Sequence, residues 1–240
     1  MQKLFVDFEF DDKIVLDEEQ SRHLAKSLRM KKGDMITVCN GNGADYGCII
    51  DEITKTTVTL SVCYKQASES EPSVKVSLYQ GVPKGDKMED IIQKCVELGI
   101  FSITPVLTKR SISRPDEKQA AKKQQRYSKI ALEAAQQSGR GIVPEIKKMI
   151  DFKKAVSECE ADLIIVFYEG GGESLKSLIN DTIKSVAIFI GPEGGFEKEE
   201  VEAVLKRGGV NATLGKRILR TQTAPVAALT CIMLLTDNME

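Results

Sequence analysis

The sequence predicts an α/β protein in two parts: a small β-rich N-terminal domain over residues 1–70, and a larger α/β domain over residues 73–240. Two observations support this division. From Lys75 onward, short apolar runs alternate with segments of helical periodicity, which is typical of a mostly parallel sheet covered by helices. Before that point, residues 67–73 are small, polar and contain a proline, as linkers do.

The N-terminal part has the pattern of a small β-barrel with one helix. Asp17, with Gln20 three residues later, resembles a capping box in which Gln20 reaches back, and this predicts a short helix through residue 27 or 28. The turn Asn40-Gly41-Asn42-Gly43 predicts a hairpin, because Asn-Gly favours tight turns between strands. The strand candidates are residues 4–8, 35–39, 46–53 and 57–64.

The second part opens with a strand at 75–82 and closes with a very apolar helix at 224–235. The long helix among its elements is stopped by Gly139 and Gly141. The other predicted elements are a helix at 86–98 with one apolar face, a strand at 103–107, the long helix at 117–138, a strand at 163–168, a glycine turn at 170–172 leading into a helix, a strand at 186–190, an amphipathic helix, and a short strand before Leu214.

Composition narrows the function classes. A net charge of −1 argues against a uniformly basic nucleic-acid coat, but it leaves room for a local basic patch. His23 is the only histidine, which argues against a zinc cluster and against a Ser-His-Asp triad on any other histidine. The six cysteines form no CxxC pair, no apolar run opens the chain, and the longest apolar stretch is too short for a bilayer. We therefore expect a reduced, cytoplasmic protein with no metal and no membrane contact.

Two loops near the C-terminus follow predicted strands. The first, here called the glycine turn, is Gly191-Pro192-Glu193-Gly194-Gly195-Phe196, and the second, here called the basic loop, is Leu214-Gly215-Lys216-Arg217-Ile218-Leu219-Arg220. Because ligands bind at the carboxyl ends of strands in open α/β sheets, the two loops predict one cleft. Neither matches a P-loop, and tight strand-to-helix turns are the alternative. Gly41-x-Gly43 lacks the helix and third glycine of a dinucleotide fingerprint.

A cluster of basic residues over 109–140 is asymmetric for a chain of this net charge. A phosphate-contacting RNA surface and a solvated helix face both fit it. Few aromatic residues, 5% with no tryptophan, argue against a stacking platform for long single strands. The cluster comprises Lys109, Arg110, Arg114, Lys118, Lys122, Lys123, Arg126, Lys129 and Arg140, against Asp116, Glu117 and Glu133.

The glycine turn and the segment LGKRILRTQTA at 214–224 together resemble the signature of the RsmE-type ribosomal RNA uridine-N3 methyltransferases, a branch of the SPOUT superfamily. The resemblance covers nearly the whole chain, with one departure: the family often has Glu where this chain has Gln222. Residues 23–29, Lys32-Gly33-Asp34 and the turn at 40–43 resemble the family's PUA-like domain. Its central motifs are matched by residues 84–88, 97–99 and 133–140.

The resemblance implies a trefoil-knotted α/β domain that binds S-adenosylmethionine, a PUA-like RNA-binding barrel, and a homodimer in which the 224–235 helix packs at the partner. It implies methylation of N3 of a uridine in the 16S ribosomal RNA of the small ribosomal subunit. By position, the cofactor would be held by Tyr168, Glu169, Ile190, Gly191, Pro192, Glu193, Gly194, Gly195, Leu214, Gly215, Ile218, Leu219, Arg220, Thr223 and Ala224.

Catalytic roles follow from the same resemblance. Arg220 would stabilise the uracil oxygens as N3 loses its proton. Glu193 is a candidate base, or simply a cap for the next helix. A non-catalytic RNA-binding protein and an enzyme that binds ATP or NAD remain alternatives. The candidate RNA contacts are His23, Arg29, Lys84, Lys87, Arg110, Arg114 and Arg140, with His23 alternatively a plain surface histidine.

Overall fold

The structure, a computed structural model, describes residues 3–6, 8–41 and 43–239. The chain forms two compact units. The first comprises Met1–Glu71 together with Ala135–Val143, and the second comprises Pro72–Ala134 and Pro144–Glu240. The segment 135–143, which belongs to the first unit here, lies outside the range 1–70 that the sequence predicts for the N-terminal domain.

The first unit is built on one five-stranded sheet in the order β1-β3-β4-β5-β2. The β1–β3 pair is parallel and the other pairs are antiparallel. Its core is apolar and includes Ile14, Leu24, Ile36 and Leu60, all nearly inaccessible. Closure of this sheet into a barrel stays a prediction. The elements are β1 Lys3–Phe5, β2 Lys13–Val15, α1 Glu18–Arg22, a π-helical turn His23–Ser27, β3 Met35–Cys39, β4 Ala44–Ile53 and β5 Val58–Ala67.

One sequence prediction in the first unit needs correction. Asp17 does cap α1, accepting from the Gln20 N–H at 2.7 Å, but the Gln20 side chain donates to the Phe5 carbonyl instead of reaching back. The predicted helical end is close to the observed one: the helical segment ends at Ser27, and Arg29 lies beyond it at φ 54°, so it does not share the helix with His23. The predicted strand 4–8 and turn 40–43 each include one residue outside the described ranges. Strand β2, three residues long, was not predicted.

The second unit has an eight-stranded sheet in which every pair is parallel, in the order β11-β13-β10-β12-β6-β7-β8 with β9 beside β7. The predicted α/β class with a parallel sheet is confirmed. Its elements are β6 Lys75–Gly81, α2 Lys87–Glu97, β7 Ser102–Leu107, α3 Glu117–Gln137, β8 Glu145–Ile146, β9 Ile150–Asp151, α4 Phe152–Glu158, β10 Leu163–Phe167, β11 Glu173–Ser174, α5 Leu175–Leu178, β12 Ser185–Ile190, α6 Lys198–Lys206, β13 Val210–Thr213 and α7 Thr223–Leu235.

The distribution of apolar residues along helices α2 and α7 determines which of their side chains are buried. The apolar face of α2 is buried as its periodicity predicts, with Ile91 and Ile92 inaccessible. Helix α7 has no polar face; it buries Leu229 and Ile232 while Leu234 stays 58% exposed. Among the described residues, no helix is both long and apolar enough to cross a membrane.

The sheet order brings three loops, including the two predicted to form one cleft, to the same edge. Because all pairs are parallel, the carboxyl ends of β10, β12 and β13 lie at the same side of the sheet. The glycine turn follows β12, the basic loop follows β13, and residues 168–172 follow β10. These three loops are the setting of the candidate site.

Candidate active site

One cleft of about 680 Å³ lies within the second unit, at the carboxyl edge of its sheet. It is lined by the three loops and the first turn of α7. Gly194 and Thr223 are not among its lining residues. Of the residues expected to hold a cofactor, those that line the cleft are Tyr168, Glu169, Ile190, Gly191, Pro192, Glu193, Gly195, Leu214, Gly215, Ile218, Leu219, Arg220 and Ala224.

The glycine turn is compact, and its glycines are needed for close backbone approach. A side chain at Gly191 would place its Cβ 2.9 Å from the backbone of Gly195. Gly195 adopts φ +69°, and its N–H donates to the Pro192 carbonyl at 2.9 Å. Phe196 then turns into the core, where it is 2% exposed. The turn therefore presents backbone groups to the cleft on a rigid apolar anchor.

Glu193 is tied to the end of β6 and the start of α2. Its carboxylate pairs with Lys87 Nζ at 2.6 Å and accepts from the Lys84 N–H at 3.1 Å. Burial raises the pKa of Glu193, but the hydrogen bonds from Lys87 and the backbone outweigh it and leave the pKa below its usual range. The alternative role of Glu193 as a cap for the next helix is wrong, because Glu197 caps α6 in a capping box with Glu200.

The basic loop is exposed to solvent, in contrast to the compact glycine turn. Ile218 is 84% exposed, and Lys216, Arg217 and Arg220 are exposed as well. The Arg220 carbonyl accepts from the first N–H groups of α7, which fixes where the loop meets the helix. No carboxylate of the described residues pairs with the Arg220 guanidinium, so this cation faces the cleft without a partner acid.

Gln222 occupies the place where the family often has a glutamate. It stands at the N-cap of α7, but its side chain makes no capping hydrogen bond. The side-chain oxygen Oε1 is inaccessible and has no hydrogen-bond partner among the described residues. Gln222 also lines the cleft. An amide cannot act as a general base, so this position offers hydrogen bonding and not proton removal.

The third wall of the cleft depends on Asn211. Its side-chain amide donates to the Gly171 carbonyl and so ties the 168–172 loop to β13. A Cβ at Gly172 would lie 2.5 Å from the Asn211 carbonyl oxygen, which leaves no room for a side chain there. Tyr168 and Glu169 project into the cleft wall from this loop. Asn211 was not identified from the sequence, where a lone Asn in a short strand gives no signal.

The predicted RNA-contacting residues divide by their surroundings. His23 and Arg29 are exposed in the first unit. In the second unit, Lys84 is exposed and Lys87 is paired with Glu193. Arg114 is exposed and donates to the Thr108 carbonyl at 2.8 Å.

In the folded structure, acidic side chains lie against Arg110 and several other members of the basic cluster and offset their positive charge. Arg110 pairs with Glu197 at 2.9 Å and also donates to the Gly194 carbonyl. The hydrogen bond from Arg110 lowers the pKa of Glu197. Three other members of the basic cluster have acidic partners: the pairs are Lys109–Glu199, Arg126–Glu89 and Lys129–Glu133. Glu89, Glu197 and Glu199, which are distant in the chain, therefore offset part of the charge asymmetry in the sequence, whereas Glu133 is a local i,i+4 partner.

The RNA prediction for Arg140 is wrong. Arg140 is 3% exposed and pairs with Glu71 at 2.5 Å within the first unit. The same carboxylate accepts from the Gly141 N–H at 2.7 Å and the Ile142 N–H at 3.1 Å. A buried guanidinium held this way cannot reach a phosphate without breaking the pair. Arg140 instead joins the segment 135–143 to Glu71 in the 67–73 linker.

In the described parts of the chain, no group of three or more His, Cys, Asp or Glu side chains could hold a metal ion. The polar side chains that line the cleft include Arg220, Glu193, Lys87, Glu169 and Gln222, beside the backbone of the glycine-rich loops. Such a cleft, apolar in large part and with few convergent polar groups, is the usual form of a small-molecule site.

Residues 69–233 match the family model described as an RNA methyltransferase domain, and residues 16–63 match that of an RNA methyltransferase PUA domain. The chain belongs to this RNA methyltransferase family. It is 37% identical over 227 residues to a Bacillus subtilis protein named ribosomal RNA small subunit methyltransferase E, covering 91% of this chain and 89% of that protein. The resemblance to the RsmE-type enzymes is thus confirmed.

Solved structures of relatives carry the cofactor. A ribosomal RNA small subunit methyltransferase E from Neisseria gonorrhoeae, bound to S-adenosyl methionine, superposes with a TM-score of 0.90 at 28% identity and covers 98% of both chains. A Legionella pneumophila methyltransferase in complex with the same cofactor gives a TM-score of 0.87 at 29% identity, covering 97% of this chain and 96% of that one. This family of RNA methyltransferases therefore contains members of this fold that bind S-adenosylmethionine.

Proposed function

We propose that this protein transfers the methyl group of S-adenosylmethionine to N3 of a uridine in the 16S ribosomal RNA of the small ribosomal subunit. The observation that carries the proposal is the cleft at the carboxyl edge of the parallel sheet, built from the glycine turn and the basic loop. Family membership supports the reaction class, and the cofactor-bound relatives support the donor.

The cleft has the properties that this cofactor requires. Its volume of about 680 Å³ suits a ligand of nucleoside size. Ile190, Leu214 and Leu219 supply apolar walls for an adenine ring, and the glycine turn offers backbone groups at close range. The side-chain oxygen of Gln222, inaccessible and without a hydrogen-bond partner, is an acceptor that a bound donor group would satisfy. The residues present therefore fit S-adenosylmethionine.

The chemistry asks for positioning and for loss of one proton. The bound cofactor supplies an electrophilic methyl group on its sulfonium. N3 of uracil carries a proton that has to leave before its lone pair can react, and this places negative charge on the ring oxygens. Arg220, exposed at the cleft without an acidic partner among the described residues, stabilises that charge. The Glu193 carboxylate is paired with Lys87 and its pKa is lowered, which makes it a weaker base than a free carboxylate, and replacement of Glu193 by Gln tests whether it takes the proton.

We further propose that the α/β domain predicted over residues 73–240 is trefoil-knotted, and that the N-terminal domain predicted over residues 1–70, which contains the PUA match, binds RNA. The strand order supports the knot: β13 pairs with β10 on the side away from β12, so the chain crosses back over β10 after β12. His23 and Arg29 are the first unit's candidate contacts; Lys84, Arg110 and Arg114 are those of the second unit, together with the exposed basic loop.

Two further properties follow from the same proposal. Helix α7 is apolar on all sides and leaves Leu234 58% exposed, which suits packing against a second copy of the chain in a homodimer. The ribosomal substrate places the protein in the cytoplasm. Size-exclusion chromatography with light scattering tests the dimer: a monomer at micromolar concentration would contradict it.

The deciding experiment is methyl transfer from labelled S-adenosylmethionine to purified small ribosomal subunits lacking the modification. We expect label in 16S RNA at N3 of one uridine. Differential melting with S-adenosylmethionine, ATP and NAD should show a shift with the first ligand alone. A protein that binds RNA but neither binds the donor nor labels the subunit would be a non-catalytic RNA-binding protein, and that outcome would overturn the proposal.

Arg220→Ala tests the proposed role in catalysis. We expect a fall in kcat of about a hundredfold, because one electrostatic contact to the developing charge is lost, with donor binding by calorimetry nearly unchanged. Arg207→Ala is the matched control, since Arg207 belongs to the same unit but not to the lining of the cleft. Equal turnover of the two variants would remove Arg220 from the mechanism.

A further inference from the structure

A buried carboxamide lies at the base of the cleft. Gln80, near the end of β6, is completely inaccessible and stands opposite Ile190 in the β6–β12 register, one residue before the glycine turn begins. Its strand is otherwise apolar at the buried positions, with Val76 and Leu78 inaccessible. Burial of an uncharged amide is unfavourable unless its hydrogen bonds are made, so its contacts show what it does there.

The amide nitrogen of Gln80 reaches the glycine turn and the residue that directly follows the basic loop. Nε2 lies 3.0 Å from the Gly81 carbonyl, 3.3 Å from the Gly191 carbonyl and 3.1 Å from Thr221 Oγ1. Thr221, itself 5% exposed, donates its hydroxyl to the same Gly191 carbonyl at 2.9 Å. Carbonyl oxygens only accept, so the NH₂ group and not the oxygen must face them. The Gln80 amide therefore donates to the Thr221 hydroxyl, which in turn donates to the Gly191 carbonyl.

This chain of hydrogen bonds joins segments that are far apart in sequence. Gly191 opens the glycine turn, and Thr221 follows the basic loop directly. Strand β6 also seats the glycine turn sterically, because a Cβ at Gly81 would lie only 2.5 Å from Pro192 Cδ. The end of β6 is thus the common support of two cleft walls, and Gln80 is the group that bonds to both.

The other end of the same side chain shows that packing alone does not explain it. Gln80 Oε1 is inaccessible and has no hydrogen-bond partner among the described residues. A leucine or methionine would fill a similar volume without leaving an unsatisfied acceptor in the core. The arrangement is sensible only if the NH₂ group has a task that an apolar side chain cannot perform.

We propose that Gln80 is a positioning residue for the methyl-donor cleft. It holds the Gly191 carbonyl and the Thr221 hydroxyl together, and so fixes the separation of the glycine turn and the basic loop at the value that S-adenosylmethionine requires. This role rests on the proposed function. Gln80 acts through Gly191 and Thr221 and not through the reacting atoms, so its loss affects donor binding and leaves RNA recognition intact.

The test compares Gln80→Leu, Thr221→Val and their combination by calorimetry with S-adenosylmethionine and by steady-state kinetics on small subunits. We expect each single variant to raise the donor Kd and donor KM about tenfold, because a loosened cleft loses its fit. KM for the subunit should stay unchanged. The double variant should be no worse than the weaker-binding single variant, because both changes interrupt one hydrogen-bond chain.

Gln124→Leu is the matched control. Gln124 Nε2 also donates to a backbone carbonyl, that of Ile146 at 3.0 Å, and lies outside the cleft. It should lower the melting temperature of the ligand-free protein without changing the donor Kd. If Gln80→Leu behaves in the same way, Gln80 is merely structural and the inference fails; additive effects of Gln80→Leu and Thr221→Val would also overturn it.

Two outcomes separate this inference from the function on which it rests. If wild-type protein binds no S-adenosylmethionine, the proposed function fails and the role of Gln80 fails with it. If wild-type protein binds normally and the variants bind equally well, only the role of Gln80 is overturned. Should Gln80→Leu fail to fold, Thr221→Val decides alone, since valine replaces threonine with nearly the same shape and removes only the hydroxyl.

Discussion

Two of the three walls of the cleft, the glycine turn and the basic loop, are built in opposite ways. The glycine turn is held from outside itself: Gln80, Lys87 and Arg110 all donate to it. In the part of the chain that the structure describes, the hydrogen bonds of residues 214–220 are local, between Thr213 and Gly215 and from the N–H groups at the start of α7 to the Arg220 carbonyl. Gln80 reaches this wall only at Thr221, where the loop has ended.

Exposure follows the same division. Phe196 at the end of the glycine turn is 2% exposed, whereas Ile218 in the middle of the basic loop is 84% exposed. The first wall is therefore anchored in the core, whereas the middle of the second wall is exposed to solvent. A preformed wall lowers the ordering cost of binding, and an exposed loop has room to adjust to a ligand. Substitutions that strain each wall should accordingly have different consequences.

The largest effect is expected for Gly191→Ala. The added Cβ would lie 2.9 Å from the Gly195 backbone, which cannot move without disturbing the Phe196 anchor. We expect a loss of about 1–3 kcal/mol in the free energy of unfolding, by overpacking, together with loss of measurable donor binding. Urea denaturation and calorimetry measure the two effects. A variant with wild-type stability and donor affinity would show that the turn is not rigid.

Gly215→Ala tests the open wall with the same chemical change. Gly215 has φ +99°, but a Cβ there would meet nothing within 4 Å. Backbone strain alone should cost about 1 kcal/mol, and the loop can relax to relieve it. Urea denaturation should therefore show a smaller loss than for Gly191→Ala, and donor binding should survive in weakened form. Equal losses in the two variants would break the comparison between the walls.

Glu193→Gln tests the tether between the glycine turn and α2. The pair of Glu193 with Lys87 is partly exposed, so its removal should lower the unfolding free energy by less than about 1 kcal/mol at pH 7. Because the pKa of Glu193 is lowered in the folded state from its ordinary 4.5, its stabilisation is complete above that pH and is lost as the pH falls.

The stability difference between wild type and Glu193→Gln should therefore vanish in acid. Thermal melts from pH 3 to pH 8 measure it. A difference that grows toward low pH would have the wrong sign for this ion pair. Turnover of Glu193→Gln within a few-fold of wild type would support water as the proton acceptor, whereas a loss of several orders of magnitude would restore Glu193 as the base.

Lys216→Ala is expected to have the smallest effect on the fold, because the side chain is exposed in the open wall. If the basic loop meets RNA phosphates, the slope of log K against log salt should fall in magnitude by about 0.7–0.9. Filter binding over a salt series measures it, with the donor Kd as the control that should not change. An unaltered slope would separate Lys216 from the RNA surface.

The sequence predicts the parts of this architecture that repeat a pattern. Strand–helix alternation predicts the parallel sheet, and two glycine-containing segments after strands predict the cleft. Strands of two residues, such as Glu145–Ile146 and Ile150–Asp151, are too short to show an alternation of apolar and polar residues. The sequence also does not predict the seven-residue helix α4 that follows them, because it is too short for a clear helical periodicity.

The side-chain contacts that hold the site together could not be predicted from the sequence, for a different reason. Glu193 finds Lys87 across 106 positions, and Gln80 finds Thr221 across 141. No local pattern records such a pairing, because it depends on which strands become neighbours. One signal was available: Gln80 lies on the face of β6 that Val76 and Leu78 share, so a polar residue stands where the alternation predicts an apolar one.

The Glu71 carboxylate pairs with the Arg140 side chain and accepts hydrogen bonds from the backbone of residues 141 and 142, and these contacts have a consequence for synthesis of the chain. The first unit includes Ala135–Val143, and its buried Arg140 carries the partner charge of Glu71. A ribosome making this chain finishes Glu71 well before it reaches Val143, by several seconds at roughly 5–20 residues per second. The N-terminal unit therefore completes its fold only after most of the first half of its neighbour has been translated, so its maturation cannot simply follow the order of the chain.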